Sequence, residues 1–137
     1  MTYSNIYARA YTFSQRVGEA VGSAFRFYPT RLYLAVILLL QVLAWLQAII
    51  IRRSLSGDFL ILHYNINFGV DLVGSPEKIF FYPLAGLLAV IINFVLIFIF
   101  ARRKESRFIT HLFLGSTVIF EIFLSLVLLA VFLINFR

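Results

Sequence analysis

Residues 111–136 read HLFLGSTVIFEIFLSLVLLAVFLINF, an apolar run that contains one acidic residue, Glu121, and neither Lys nor Arg. Two further apolar runs cover residues 32–51 and 79–100. About 20 predominantly apolar residues make a helix long enough to cross the hydrocarbon core of a bilayer. Because lipid offers the backbone no hydrogen-bond partners, runs of this kind must be helical. The sequence therefore predicts three transmembrane helices.

The composition excludes the water-soluble classes of protein. Of 137 residues, 62% are hydrophobic and 13% are charged, and the mean hydropathy is +0.96. Soluble domains are nearer half apolar and one-quarter charged, so a soluble fold would have nowhere to bury this apolar surface. Three spans and their connections fill a chain of this length, which leaves no room for a soluble catalytic domain.

The sequence also lacks the usual signals of enzyme chemistry. It has no cysteine, which excludes thiol catalysis and thiolate metal sites. It has no nucleophile elbow, P-loop or zinc-protease motif. We therefore expect a non-enzymatic protein without a cofactor or a metal site. The formal net charge of +6 favours contact with anionic lipid rather than binding to nucleic acid.

An amphipathic pattern precedes the first span. In residues 10–28 apolar side chains recur at helical spacing, while Arg16, Glu19 and Arg26 fall on the opposite side. This pattern predicts a helix that lies in the membrane interface. The alternative is a helix whose apolar side packs against the protein's own loops.

The basic residues predict the orientation of the chain. Eight of the twelve Lys and Arg residues lie either in the N-terminal segment or in the loop 101–110, and four lie on the other side of the membrane. The positive-inside rule then places the N-terminus in the cytoplasm and the C-terminus outside the plasma membrane. The basic residues of the loop are candidates for a role in topology and for contact with lipid phosphates. They are Arg102, Arg103, Lys104 and Arg107.

The connection 52–78 between the first two spans predicts a small β-structure. Residues 65–72 alternate between polar and apolar side chains, which is the period of a half-buried strand. Residues 60–64 form a second β-prone run, and Gly69 can supply a bulge or a tight bend. We expect an extracytoplasmic β-hairpin whose apolar side rests on helix ends or on the bilayer.

The same connection carries a short motif: LHYN at 62–65, FGVD at 68–71, GS at 74–75, and Lys78 directly before a span. It resembles a small prokaryotic membrane domain of unknown function at the front of the SdpI-type immunity and signalling membrane proteins. The resemblance covers about the middle third of the chain. It implies a prokaryotic membrane protein with an immunity-like role and no established reaction. The motif residues are His63, Tyr64, Asn65, Gly69, Asp71 and Gly74.

Two interpretations of the polar residues in this motif remain open. In one, His63 and Asp71 face each other across the hairpin and determine its register, while Asn65 satisfies a turn. In the other, these three residues form a polar surface that recognises an extracytoplasmic peptide or a lipid headgroup. One His with scattered carboxylates is weak support for a metal site, which would need three or four convergent ligands.

Glu121 is the strongest anomaly of the sequence, because an ionised carboxylate in the middle of a span is energetically costly. Thr117 and Ser125 flank it at i−4 and i+4 on the same helical face. Counting the helical rise from the ends of the other spans places Gln41 and Asn93 at a similar depth. We expect these five residues to form one intramembrane polar cluster.

Three roles for this cluster are open. A neutral Glu121 that is hydrogen-bonded to Asn93 or Gln41 would join the helices. The same carboxyl could instead relay protons or cations. In an oligomer, it could face a polar group of a neighbouring subunit.

The expected architecture is an all-α polytopic membrane protein with three transmembrane helices, an interfacial N-terminal helix and a small outer β-hairpin. The expected function is that of a non-enzymatic accessory, scaffold or immunity-like protein, which acts through helix packing and the hairpin. The alternative is an oligomeric proton or ion pathway centred on Glu121. The expected partners are the lipid bilayer, including anionic lipid, and a second copy of the chain or another membrane protein.

Overall fold

The computed structural model describes residues 7–12, 14–15, 18–19, 22, 28–65, 67, 69–100 and 103–136. Its helices are α1 (Tyr28–Ser54), α2 (Phe81–Phe100) and α3 (Ser106–Asn135), and a hairpin of strands β1 (Leu60–Asn65) and β2 (Gly69–Gly74) follows α1. A 3-10 helix, Pro76–Phe80, leads into α2. All three helices are long and apolar enough to cross a membrane, with the 3-10 helix counted as part of the second. The predictions of three spans and of a small two-stranded sheet are therefore confirmed.

The helices extend beyond the apolar runs that predicted them. α1 covers residues on both sides of the run 32–51, and α3 begins at Ser106, inside the predicted loop 101–110. A helix can continue past the hydrocarbon core wherever its side chains reach water, so an apolar run gives only a minimum length. About half of the predicted interfacial helix 10–28 lies outside the described residues, and its position in the interface stays a prediction.

α1 and α3 run in the same direction and bury matching faces. Tyr33 Oη lies 3.2 Å from His111 Nδ1, and further along both helices Ser125 Oγ donates to Gln47 Oε1 at 3.1 Å. The buried residues of each helix recur at intervals of three and four, which is the spacing of a coiled-coil seam. In α1 they are Thr30, Ile37, Gln41, Ala44, Ala48 and Ile51. In α3 they are Thr110, Leu114, Thr117, Glu121, Leu124, Leu128 and Val131.

Two apolar clusters hold the bundle together at different levels. The hairpin-end cluster joins α1, α3, the 3-10 helix and the hairpin; it contains Ala44, Ala48, Ile51, Leu60, Ile79, Leu128 and Val131. The opposite-end cluster contains Ile37, Ile97 and Leu114. Gln41 and Glu121 fall between the two clusters along their helices. The polar level of the bundle is therefore closed by apolar packing on both sides.

The hairpin differs from its prediction in register. Residues 65–72 do not form one strand, because β1 ends at Asn65 and β2 begins at Gly69. Gly69 has φ 79°, a left-handed conformation that a side chain disfavours, and this glycine lets the chain turn between the strands. His63 pairs with Leu72 and not with Asp71, because the register shifts on both sides of His63. The two residues therefore do not face each other in the strand register, and a contact between their side chains stays a prediction.

The hairpin is attached to the ends of the helices. Leu60 is fully buried in the hairpin-end cluster, and the partly buried Leu62 packs against this cluster. Gly74 is buried at the end of β2, where a Cβ would stand 2.7 Å from Lys78 Cδ and 2.9 Å from Leu62 Cδ1. The absence of a side chain at residue 74 therefore lets the strand, the 3-10 helix and Leu62 approach each other closely.

The outer surface of the bundle is apolar. Side chains such as Leu39, Ile119 and Phe123 are more than half exposed in the isolated chain. Exposed apolar surface of this extent is unfavourable in water and suits a hydrocarbon solvent. The fold agrees with an integral membrane protein.

Candidate functional site

The most unusual site in the bundle is a buried junction between its three helices. Glu121 of α3 is 0% exposed, although it carries an ionisable carboxyl. Neither of its carboxyl oxygens has a hydrogen-bond partner among the described residues. Gln41 of α1 and Gly86 of α2 lie beside it. We call Gln41, Pro83, Gly86 and Glu121 the polar junction.

The orientation of the Gln41 amide follows from one short hydrogen bond. Gln41 Nε2 donates to the carbonyl oxygen of Pro83 at 2.7 Å, which ties α1 to the first turn of α2. The other end of the amide, Gln41 Oε1, is buried without a partner in the described part of the chain. If the amide were flipped, two acceptor oxygens would face each other at this distance, so the bond to Pro83 determines which amide atom faces the junction.

Gly86 makes the junction possible. A Cβ at this position would stand 2.7 and 2.9 Å from the two carboxyl oxygens of Glu121 and 2.9 Å from Gln41 Oε1. All three oxygens therefore converge on the same small space beside the Gly86 backbone. Gly86 is the only glycine of the second span. Small residues commonly allow this kind of close approach between membrane helices.

The five residues of the predicted intramembrane cluster make separate contacts instead of one network. Gln41 and Glu121 share the polar junction. Asn93 Nδ2 donates to Thr117 Oγ1 at 2.7 Å, and Thr117 Oγ1 donates to the carbonyl of Phe113 at 2.8 Å. The expected hydrogen bond from Asn93 to Glu121 is therefore absent from the described residues, because Thr117, one turn earlier on α3, occupies the amide.

Ser125 also belongs to a separate pair. Its Oγ donates to Gln47 Oε1 at 3.1 Å, and Gln47 Nε2 lies 3.5 Å from the Ser125 carbonyl oxygen. Gln47 was not predicted as part of the cluster, although it lies six residues after Gln41 on the first span. Pro83 was also missed as a site residue, because a backbone carbonyl carries no polar signal in the sequence.

In the part of the chain that the structure describes, no charged side chain pairs with Glu121 at the polar junction. Between residues 32 and 51 and between 79 and 100 the sequence contains no Lys, Arg, His, Asp or Glu. His111 is ten residues before Glu121 on α3, which corresponds to about 15 Å along a helix. Among the described residues, no group of three or more His, Cys, Asp and Glu could hold a metal ion. Burial therefore strongly favours a neutral carboxyl at residue 121.

The hairpin forms the second candidate site. The His63 side chain is exposed. The side chains of Tyr64, Asn65 and Asp71 lie outside the described part of the structure, so the predicted polar surface stays a prediction. Gly69 and Gly74 act through the backbone, as the turn and the close approach described above.

A side-chain amide joins the hairpin to α3. Asn135 Nδ2 donates to the carbonyl of Ile61 at 2.8 Å and to the carbonyl of Val131 at 2.8 Å, and Asn135 Oδ1 accepts from the Ile61 N–H at 3.0 Å. The amide thus bonds to β1 as a neighbouring strand would. An exposed ion pair, Arg52 with Glu77 at 3.1 Å, joins α1 to the 3-10 helix at the same end.

The basic loop lies at the opposite end of the bundle from the hairpin. Arg103, Lys104 and Arg107 are exposed, and Arg102 lies outside the described residues. The guanidinium of Arg103 stands 5.3 Å from the centroid of the Phe100 ring, at cation–π distance. This contact places a positive charge directly at the end of α2.

The chain stands alone in all three comparisons with known proteins. No family model, no curated protein and no solved structure matches it.

Proposed function

We propose that this chain is a non-catalytic membrane scaffold that presents a rigid β-hairpin to a partner at one face of the membrane. The observation that carries this proposal is the pairing of the Asn135 amide with both backbone polar groups of Ile61. A hairpin of two strands is marginal on its own in water. Here it is fastened to the last turn of a transmembrane helix, so its surface is held in one position relative to the bundle.

Three contacts of different kinds support a fixed hairpin. The first is the bidentate contact of Asn135 with β1. The second is the burial of Leu60 among residues of all three spanning segments. The third is the exposed pair of Arg52 and Glu77, which contributes least because solvent screens it. Preorganised surfaces bind with a smaller entropic cost than mobile ones, which favours a recognition role.

The exposed surface of the hairpin has the chemistry of an interaction site. Val70, Leu72 and Val73 of β2 are about half exposed, and Phe59 before β1 is 73% exposed. Leu72 is the cross-strand partner of the exposed His63. A mixed apolar and polar surface at a membrane face suits another membrane protein or a second copy of this chain. Binding of such a partner is also compatible with the immunity-like role that the sequence motif implies.

The membrane placement belongs to the same proposal. The exposed Arg103, Lys104 and Arg107 lie on the cytoplasmic side and contact anionic headgroups, and the hairpin lies on the outer side of a prokaryotic plasma membrane. The N-terminus is then cytoplasmic and the end of α3 is extracytoplasmic.

Site-specific photo-crosslinking in native membranes tests the scaffold. A crosslinking residue at Val73 on the hairpin is expected to give one discrete adduct, and the same residue at Ile119 on the lipid-facing side of α3 is expected to give only lipid adducts. Asn135→Leu should abolish the Val73 adduct, because it releases the hairpin. An adduct at Val73 that survives Asn135→Leu, or no adduct at all, contradicts the proposal.

A proton or ion pathway centred on Glu121 stays the second candidate. Three converging acceptor oxygens at the polar junction favour it. The apolar clusters on both sides of the junction argue against a route within a single bundle. Flux in liposomes separates the two functions: a pathway requires flux that Glu121→Gln removes and Glu105→Gln, in the basic loop, leaves intact.

A further inference from the structure

We infer that the polar junction is a proton-binding site, in which Glu121 carries a proton and donates its O–H to Gln41 Oε1. This inference does not depend on the scaffold proposal. It assigns the ligand of the junction, and it predicts that loss of this proton opens the contact between the three helices.

Three buried acceptor oxygens meet at the polar junction. Both oxygens of Glu121 and Gln41 Oε1 are buried, and within the described structure none of the three has a donor. All three lie within 2.9 Å of the position that a Cβ of residue 86 would occupy. Buried acceptors that face each other without a donor are strongly unfavourable. One proton on the carboxyl provides a donor for the amide oxygen and removes the charge at the same time.

A flip of the Gln41 side-chain amide does not remove the conflict between acceptors. Rotating the Gln41 amide would point its Nε2 at an ionised Glu121, but Oε1 would then face the carbonyl of Pro83 at a distance of about 2.7 Å. In either orientation one acceptor is left facing another acceptor. Only a proton on Glu121 satisfies the Pro83 carbonyl, the amide and the carboxyl together.

Other titratable and charged side chains of the three helices have contacts elsewhere. On α1 the titratable side chain within the span is Tyr33, and on α3 it is His111; these two contact each other at the end of the bundle away from the hairpin. On α2 it is Tyr82, which packs against the hairpin-end cluster. The Arg52 guanidinium pairs with Glu77. None of these side chains supplies a cation to Glu121, so the carboxyl is neutralised by its own proton.

The consequence is a coupling between proton release and helix packing. An ionised Glu121 would place its charge beside Gln41 Oε1 at the Gly86 backbone, where none of these oxygens has a donor among the described residues. The three helices would have to separate at this level, or the Gln41 bond to Pro83 would have to break. Loss of the proton therefore favours separation of the helices, and the stability of the bundle should decrease as the pH rises.

Infrared spectroscopy on a chain with one labelled carboxyl tests the assignment. The protein has four glutamates, at positions 19, 77, 105 and 121. The variant Glu19→Gln/Glu77→Gln/Glu105→Gln, made by cell-free synthesis with glutamate carrying ¹³C in its side-chain carboxyl, reports on Glu121 alone. We expect the band of a protonated carboxyl and no carboxylate bands at neutral pH. Carboxylate bands at neutral pH would overturn the inference.

Two further measurements complete the test. In the same labelled protein, Gln41→Leu is expected to move the carboxyl band to higher frequency, because the O–H loses its acceptor; an unchanged band contradicts the pairing. Addition of Na⁺ at constant pH should leave the band in place. If Na⁺ replaces it with carboxylate bands, the site binds a metal cation and the proton assignment is wrong.

Thermal unfolding at different pH values tests the coupling between proton release and helix packing. Thermal stability in detergent is expected to fall towards alkaline pH in the wild-type protein and to stay level over the same range in Glu121→Gln. An equal fall in both proteins would exclude proton-linked opening at this site. The infrared experiment retains Glu121, so the assignment stays testable if Glu121→Gln does not fold.

Discussion

Asn135, the last residue of α3, holds Ile61 of β1 by both of its backbone polar groups, at 2.8 Å to the carbonyl and 3.0 Å from the N–H. A side chain at the end of a membrane helix thus acts as a neighbouring strand for the hairpin. This contact connects a local β-structure with the position of a helix 74 residues later in the chain. Several consequences of the structure can be tested one residue at a time.

Asn135→Leu should release the hairpin without unfolding the bundle. The change leaves the N–H and the carbonyl of Ile61 without partners, which costs about 1–3 kcal/mol when such groups stay buried. We expect faster hydrogen exchange in residues 60–74 and little change in α1. Leu133→Ala, on the exposed side of the same helical turn, is the matched control and should leave the exchange of the hairpin unchanged.

Gly86→Ala should destabilise the bundle. Its Cβ would stand 2.7 Å from a carboxyl oxygen of Glu121, and overpacking of this kind costs about 1–3 kcal/mol. Thermal unfolding in detergent measures the loss. Gly115→Ala is the matched control, because the nearest atom to its Cβ is Tyr33 Oη at 3.9 Å, an ordinary contact. Equal effects of the two substitutions would mean that the junction is not tightly packed.

Gly69→Ala should weaken the hairpin. A residue other than glycine at φ 79° costs about 1–2 kcal/mol. Hydrogen exchange of β1 and β2 should therefore become faster, and the chain should otherwise stay folded. Gly57→Ala serves as the control, because nothing lies within 4 Å of its Cβ and its backbone has an ordinary φ. A hairpin that tolerates both changes equally would contradict the turn geometry.

Asn93 and Thr117 should show a measurable coupling. A double-mutant cycle with Asn93→Leu and Thr117→Val isolates their 2.7 Å hydrogen bond, and such bonds between membrane helices are worth about 0.6 kcal/mol on average. Unfolding in mixed micelles gives the four free energies. The same cycle with Asn93→Leu and Glu121→Gln should give a coupling near zero, since no hydrogen bond joins those two residues.

The proposed orientation can be tested because the chain has no cysteine of its own. Lys104→Cys and Gly57→Cys introduce single thiols at exposed positions at the two ends of the bundle. A membrane-impermeant thiol reagent added to intact cells should label residue 57 and not residue 104. The reverse labelling pattern would invert the topology and place the hairpin in the cytoplasm.

The spans and the hairpin could be predicted because their signals are local. The lengths of the three apolar runs are set by the thickness of the bilayer, and the need to satisfy backbone hydrogen bonds requires helices. Periodicity also predicted strands before the second span. It did not predict their register, because bulges on both sides of His63 change which residues face each other, and a bulge has no reliable signature in one sequence.

The membership of the buried site could be predicted only in part. Depth follows from counting residues along a helix, and this correctly brought Gln41 and Glu121 to one level. Rotation about each helix axis does not follow from counting, because it is set by how the seams of three helices interlock. Asn93 therefore reached Thr117, and Ser125 reached Gln47, although Asn93, Thr117 and Ser125 had been expected to join Glu121 in one cluster.

The amino-acid sequence alone predicted three apolar runs long enough to span a membrane and the single carboxyl within these runs, because both depend on composition and on neighbours along the chain. The tertiary structure alone decided that Gly86 opens a space for Glu121, that Pro83 orients the Gln41 amide, and that Asn135 holds Ile61. These relationships join residues that lie far apart in the chain, and their distances are set by packing between helices, which no local pattern records.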